Sequence, residues 1–307
     1  MKKYNCLIMN NEIWLLEARI KYDLQWFDYI IIAEADSTFS GIKKPFFYEK
    51  YSYLFEEYKD RIIYVKINDL PKPYKGSFIG FNDFPLTENR WFVEFEHRNR
   101  LQEALLSIAQ PNDIICIQDI DEIQNIQYIN QINNFNKIQI LSYLNYKFSV
   151  SKPPTKEIWK KGYITNYSNI KEININDYRK IVLESIPYKL DHIASNNFRF
   201  NDEEKKSVYN SYTAPIQEIS MQEIDYGWHI SSITNEIDKR MKWQCFSHQE
   251  FANKLKRAED LDIEQVTDNI INQYLDRQYS SNLHSLAPAF IDNSRFASLF
   301  CEENTHL

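Results

Sequence analysis

Three carboxylates fall within four residues at Asp119-Ile120-Asp121-Glu122, directly after the apolar run Ile114-Ile115-Cys116-Ile117. Acids one residue apart repel each other and are costly to dehydrate, so a shielded pair usually has a cation between them. A hard divalent ion, Mg²⁺ or Mn²⁺, suits Asp119 and Asp121 and could in turn hold a diphosphate. A local reading competes: Asp is a favoured helix N-cap, and Asp-x-Asp arises by chance in a chain with 43 acidic residues. A second chemical stretch is Asp225-Tyr226-Gly227-Trp228-His229. His229 is a residue type that ligates metals, although an isolated His is more often only hydrogen-bonded. Trp228 offers either a stacking floor for a sugar or a core ring.

Two further stretches carry polar groups. Glu34 to Pro45 holds an acid, hydroxyls at Thr38 and Ser40, Gly41 and two lysines, a composition that fits a ligand loop or a solvated connector. Glu94 and Arg98 stand in the favourable i,i+4 order on a helical pattern, which is usually an exposed ion pair.

The elements that must position these groups read as α/β. Residues 4–9 form a strand, Glu12 to Tyr22 an amphipathic helix and 28–34 a strand of continuous apolar character, which is the β-α-β opening of a parallel sheet. A helix over 46–58, a strand over 61–67 and a long helix over 88–108 lead to the strand 114–117, whose short β-branched run fits burial on both faces. In open α/β sheets ligands bind beyond the carboxyl ends of the strands, where Asp119 and Asp121 fall. A helix from Glu122 to about Phe135, a strand over 138–150, mixed short strands in 151–215, a helix opening at Phe246-Ser247-His248-Gln249-Glu250-Phe251 and another over 262–277 complete the pattern. There is no internal repeat.

Composition narrows the function. With 43% hydrophobic and 26% charged residues the 307-residue chain can bury a sizeable core. Its 5 Gly include no G-x-G-x-x-G or GxxxxGK[ST] string, so a phosphate is not handled by a glycine loop. A net charge of −7 with no basic block argues against nucleic acid. The four cysteines, Cys6, Cys116, Cys245 and Cys301, lack CxxC spacing and fit reduced thiols in a cytoplasmic protein. No transmembrane span is predicted, which leaves peripheral association with a membrane open.

Taken in order, Asn11-Glu12 with Leu16-Glu17-Arg19, Glu34 with Thr38-Phe39-Ser40-Gly41 and Lys44, Trp91 with Glu94 and Arg98, Asp119-Ile120-Asp121-Glu122-Ile123, Gly227-Trp228-His229 and Phe246 to Phe251 resemble glycosyltransferase family 17, over roughly residues 5–255. The resemblance implies a single-domain A-type glycosyltransferase fold, with a Rossmann-like, mostly parallel central sheet flanked by helices. It divides the chain into a catalytic domain over 1–260 (nucleotide-sugar half 1–125, acceptor half 126–260) and a C-terminal helix and tail over 261–307. It implies an inverting, metal-dependent transfer from a UDP-sugar, UDP-N-acetylglucosamine being the family's usual donor, to a glycan or polysaccharide. Mn²⁺ or Mg²⁺ would be bound by Asp121 with Asp119, His229 and then His248. The nucleotide side would comprise Glu34, Thr38, Gly41, Lys44, Glu94, Arg98, Asp119 and Trp228. For the base that deprotonates the acceptor, Asp225 ranks before Glu223 and Glu250, with Glu94 as a fallback.

The family's animal members carry a membrane anchor and act in the Golgi, and this chain shows neither feature. Its wealth of Asn, Ile, Lys and Tyr, of the kind bacterial and large-virus proteins show, makes a surface polysaccharide the expected acceptor. The alternatives from other classes are a sugar- or nucleotide-binding protein without turnover and a nucleotidyltransferase, which would release pyrophosphate rather than UDP.

Overall fold

The computed structural model describes residues 1–71, 90–147, 150, 152–171, 175, 216–217, 221–222, 225–231, 262–275, 296 and 299. Strand β1 (Lys3–Met9) is buried from Tyr4 onward. It leads through helix α1 (Ile13–Asp23) into β2 (Tyr29–Ala35), which pairs with β1 in parallel, Tyr4 opposite Tyr29 and Met9 opposite Glu34. Strand β3 (Ile62–Ile67) extends the sheet on the far edge of β2, again in parallel. Helix α3 (Arg90–Ile108) then returns the chain across the sheet to β4 (Ile114–Asp119), parallel to β1 on its other edge. The order β3-β2-β1-β4 reverses direction between β1 and β4, and such a reversal opens a crevice at the carboxyl ends of the two strands.

Beyond β4 the sheet becomes mixed. β7 (Ile158–Asn166) runs antiparallel to β4, and β6 (Ile138–Lys147) antiparallel to β7. β8 (Ile216–Gln217) and β9 (Gly227–Ser231) pair in parallel with β6, and the two-residue β5 (Glu122–Ile123) pairs antiparallel with β9. The architecture is a mixed α/β sheet flanked by helices, in which the parallel pattern read from the sequence holds throughout β3-β2-β1-β4 and gives way to alternating directions beyond it.

Side-chain alternation divides the core. Leu7, Met9, Ile30 and Ile32 face α1 and a C-terminal helix, which enters the same cluster through Ile263, Val266, Ile270 and Ile271. Cys6, Ile8, Ile31, Ala33, Ile115 and Ile117 face Leu101 and Leu105 of α3. A third cluster joins Cys116 to Tyr128 and Ile129 of α4 (Ile126–Gln131) and to Tyr143 and Ile164. The C-terminal helix is α5 (Ile263–Tyr274), started by Asp262, whose carboxylate accepts from the N–H groups of Glu264 and Gln265.

Three elements differ from the sequence expectation. The amphipathic helix α1 is buried nearly all round, Glu17, Arg19 and Asp23 included. The helix expected over 46–58 is one α-turn, α2 (Phe47–Lys50), broken at Tyr51 (φ −112°, ψ 19°) and continued as a 3₁₀ helix over Ser52–Arg61. The helix expected from Glu122 begins only at Ile126, because Glu122 and Ile123 pair with His229 and Trp228. Among the described residues no helix is long and apolar enough to cross a membrane.

Candidate active site

Asp119 is the last residue of β4, level with Ile8 near the end of β1. The turn after it is held from both sides. Arg19, fully buried on α1, donates through Nη1 to the carbonyls of Asp119 (2.8 Å) and Ile120 (2.9 Å), and through Nη2 to Gln118 Oε1 (3.0 Å). Its Nε donates to Asp23 (3.0 Å), which also accepts from Asn5 and Gln124. Burial pushes the Asp23 carboxyl up, and the Arg19 charge pulls it down. From the other side, Glu122 Oε2 accepts from the Asp119 N–H (3.0 Å), and Glu122 Oε1 from Trp159 Nε1 (2.8 Å).

The short β5–β9 ladder places His229 opposite Glu122 and sets His229 Nε2 3.8 Å from Asp121 Oδ2. His229 lies flat on Trp159, the rings 4.2 Å apart and 3° from parallel. Its Nδ1 stands 3.1 Å from Asn145 Oδ1, and Asn145 Nδ2 faces the Glu157 carboxylate at 3.5 Å. A carboxylate can only accept, so that side of Asn145 is its amide nitrogen; its oxygen can only accept in turn, which puts the imidazole proton on Nδ1. In the neutral ring Nε2 then presents a lone pair toward the Asp121 carboxylate. A His fixed through one nitrogen and turned by the other toward a carboxylate is placed to share a cation with that carboxylate.

Gly227 makes this geometry attainable. A Cβ there would lie 2.3 Å from the Ile123 carbonyl oxygen and 3.0 Å from Gln124 Cα, so only a residue without one lets β9 approach β5 closely enough to present His229.

On the other flank Arg98 donates to Asp119 Oδ1 through Nη2 (2.9 Å) and Nε (3.3 Å), and to Glu94 Oε1 (2.7 Å). The pair read as an exposed helix bridge is thus joined to the Asp-x-Asp stretch. Beside it, His97 is buried and its Nε2 meets the Ala33 carbonyl oxygen at 2.9 Å. Burial above all pushes the His97 imidazole down to about 3.

The Glu34 loop is organised around a buried carboxylate. Glu34 Oε1 accepts from Lys44 Nζ (2.8 Å) and the Phe47 N–H (2.7 Å), and Oε2 from the Tyr48 N–H and the Tyr64 hydroxyl (both 3.0 Å). The side chains of Lys44 and Glu34 are 1% and 0% exposed, so the pair ties the loop to the N-terminus of α2 rather than reaching outward. Thr38 and Gly41 form its tip, where the Gly41 N–H donates to the Thr38 carbonyl (2.9 Å) with φ of 84°.

Of the residues expected from the sequence, the fold brings together Asp119, Asp121, His229, Glu94 and Arg98, with Thr38, Gly41, Glu34 and Lys44 on the adjoining loop. Trp228 packs edge-on against Tyr22 (6.0 Å) in the core. Asp225 lies ahead of β9, where its carboxylate accepts from the Gln222 N–H and from Gln131 of α4. Glu223, His248 and Glu250 lie outside the described residues. Sequence reasoning passed over Arg19 as a support of the turn, and missed Asn145 and Trp159. Arg19 and Asn145 could have been found as polar residues in otherwise apolar patterns, whereas nothing in Glu157-Ile158-Trp159-Lys160 marks Trp159.

Among the described residues no group of three or more His, Cys, Asp or Glu side chains could by itself hold a metal ion. What the chain presents is one carboxylate oxygen and one imidazole nitrogen, two of the six ligands an octahedral divalent ion takes, and this set fits an ion that draws its other ligands from a bound diphosphate and water.

The sequence model of glycosyltransferase family 17 matches residues 1–184, which contain β1 through β7 and both Asp119 and Asp121. The chain belongs to glycosyltransferase family 17. It is accordingly a glycosyltransferase, an enzyme that takes a sugar donor and a glycan acceptor. No curated protein matches the chain. Among solved structures, mannose-6-phosphate isomerase from Helicobacter pylori is 10% identical over 55% of this chain and 72% of its own, with a TM-score of 0.31. The apo-form glycosyltransferase GlyE of Streptococcus pneumoniae TIGR4 is 9% identical over 89% of this chain, which spans 64% of that protein's length, with a TM-score of 0.31. Overlaps this low carry no argument, and the assignment rests on the family match. β9, which carries His229, lies beyond the matched residues, so the family-17 segment obtains one side of its crevice from chain that follows it.

Proposed function

We propose that this family-17 enzyme is an inverting, metal-dependent transferase of the A type that uses UDP-N-acetylglucosamine and a polysaccharide acceptor. The observation that carries the reading is the Asp121 carboxylate facing the His229 imidazole across 3.8 Å at the carboxyl edge of β4. Asp121 and His229 would hold the cation, and the mixed oxygen–nitrogen pair favours Mn²⁺ over the harder Mg²⁺. The chemistry such a cation would supply when bound is neutralisation of charge on the departing diphosphate. Asn145 and Trp159 fix the plane and tautomer of His229, while Glu122 and Arg19 fix the turn bearing Asp121. Arg98, shared between Glu94 and Asp119, brings positive charge to the same edge. The Glu34–Lys44 pair holds the loop with Thr38 and Gly41 beside it, where a nucleoside would lie.

Inversion requires a carboxylate to take the acceptor's proton as it attacks from the face opposite the leaving group. Because the Asp225 carboxylate is already hydrogen-bonded to Gln131 and to the Gln222 N–H, we favour Glu94 and Glu250 over it as that base. In Glu94→Gln and Glu250→Gln, the variant that keeps Mn²⁺–UDP binding and loses transfer identifies the base. We further infer one catalytic domain over 1–260 with residues 261–307 docked on it, supported by α5 sharing a core cluster with α1. A cytoplasmic location is supported by the free, buried thiols of Cys6 and Cys116.

The test is release of UDP from UDP-N-acetylglucosamine with Mn²⁺, with a chelator, and with Asp121→Asn. Release that is lost with chelator and with the variant is expected. Release unaffected by both would overturn the metal reading, and pyrophosphate in place of UDP would make the protein a nucleotidyltransferase.

A further inference from the structure

We propose that Arg19, 100 residues before Asp119 in the chain but adjacent to it in space, is a positioning residue for sugar transfer: its buried guanidinium sets the Asp119–Asp121 turn by grasping two successive backbone carbonyls. The inference rests on the reading that this turn faces the donor diphosphate. An isolated charge in a protein interior is costly unless paired and fully hydrogen-bonded. Arg19 meets both conditions, with Asp23 as its counter-charge and with the Asp119 carbonyl, the Ile120 carbonyl and Gln118 as its other acceptors. Asp23 is in turn held by Asn5 of β1 (2.8 Å) and by Gln124 just after β5 (2.8 Å). Gln118 donates onward to the Tyr143 hydroxyl (2.8 Å) on β6. The guanidinium is therefore fixed by α1, β1, β4 and the segment after β5 together.

The direction of the carbonyls matters. In a planar trans peptide the C=O and the N–H of the next residue point opposite ways. Turning the Asp119 and Ile120 carbonyls toward Arg19 therefore turns the Ile120 and Asp121 N–H groups away from it, and it fixes the backbone from which both carboxylates spring. Neither carboxylate touches the guanidinium, so Arg19 acts through the backbone. Lysine cannot replace it: an ammonium lacks the planar fork that serves Asp23, two carbonyls and Gln118 at once.

The experiment compares Arg19→Lys, Asp23→Asn and Asp121→Asn with the wild type. Folding is checked by circular dichroism and Tm, Mn²⁺–UDP affinity by calorimetry, and kcat and KM for UDP-N-acetylglucosamine well below each Tm, per folded molecule. The expected result for Arg19→Lys is a roughly 10- to 100-fold fall in kcat together with weaker Mn²⁺–UDP binding, the size seen when a support behind a ligand is removed. A purely structural role would lower Tm and leave kcat and Mn²⁺–UDP affinity per folded molecule unchanged, which overturns the proposal. Should Arg19→Lys not fold, Asp23→Asn decides by the same two quantities, since it frees Arg19 from its counter-charge while keeping a side chain of the same shape. The Asp121→Asn arm separates the two levels of inference. If it stays active, the reading of the turn as the donor site fails and the positioning role fails with it. If it is inactive while the Arg19 and Asp23 variants bind and turn over like the wild type, only the positioning role fails.

Discussion

Replacing Gly227 by Ala asks directly whether the close approach of β9 to β5 sets the site. The added Cβ would sit 2.3 Å from the Ile123 carbonyl oxygen, 2.8 Å from Tyr143 Cδ1 and 3.0 Å from Gln124 Cα. Two of these neighbours are backbone, and Tyr143 is fully buried, so none can swing aside. Ordinary contact begins near 3.4 Å, and β9 must retreat by about 1 Å to restore it, a shift that a close-packed interior resists. Such overpacking costs about 1–3 kcal/mol, or a fall in Tm of roughly 2–10 °C for a chain of this size. His229 is two residues further along the same strand, 3.8 Å from Asp121. A misplacement of about 1 Å at a reacting centre lowers turnover on the order of 10²-fold. Differential scanning calorimetry and UDP release with Mn²⁺, read at a temperature where the variant is folded, measure both effects. A Gly227→Ala enzyme with wild-type kcat and Tm would refute the claim that this contact positions His229.

Other outcomes follow from the same geometry. Lys44→Met leaves the Glu34 carboxylate buried without its counter-charge and should destabilise the protein by about 3 kcal/mol or more; chemical denaturation with an unchanged midpoint would contradict that role. Asp225→Asn should leave UDP release nearly unaltered, because its hydrogen bonds run to Gln131 and Gln222; a loss of about 10²-fold or more, the size of a missing general base, would restore it as the acceptor's base. His97 should make the protein acid-labile. Unfolded imidazole binds its proton below its ordinary value of 6.5, whereas the folded side chain, buried beside Lys44 and Arg98, does so only near 3. The unfolded state therefore binds more protons in that window, and stability falls as pH drops through it, by up to about 1.4 kcal/mol per pH unit. His97→Gln should flatten that slope between pH 6 and 4 in urea titrations, and identical slopes would exclude the mechanism.

How far the chain could be read without its structure depended on whether the signal was local. The runs Cys6–Met9, Tyr29–Ala33 and Ile114–Ile117 are continuous and apolar because both faces of those strands are covered, and such runs are conspicuous. The placement of Asp119 and Asp121 at a strand end followed from the same pattern. Directions beyond β4 were not legible: whether β7 pairs parallel or antiparallel with β4 is decided by connections that leave no periodic trace. Glu122 looked like the start of a helix because a two-residue strand has too few residues to show alternation. Trp159 escaped notice because it acts across strands, stacking on a histidine 70 residues away in sequence. Asp225 was ranked first because it lies close to His229 along the chain; the structure adds that its carboxylate bonds Gln131 and the Gln222 N–H, and the Asp225→Asn assay decides its role.

The docking of α5 carries a consequence for how such chains can vary. Lys50 of α2 bonds Glu264 and Asp268 (both 2.7 Å), the Tyr51 hydroxyl bonds Asp268 (2.5 Å), and Asn11, in the loop leaving β1, donates to Thr267 (3.0 Å). The family-matched residues end well before that helix, yet its polar side grips the loop that opens toward the crevice. A chimera that exchanged only the last fifty residues between relatives would therefore have to keep partners for Asn11 and Lys50, or lose the bonds that hold the loop leaving β1 and helix α2 to α5.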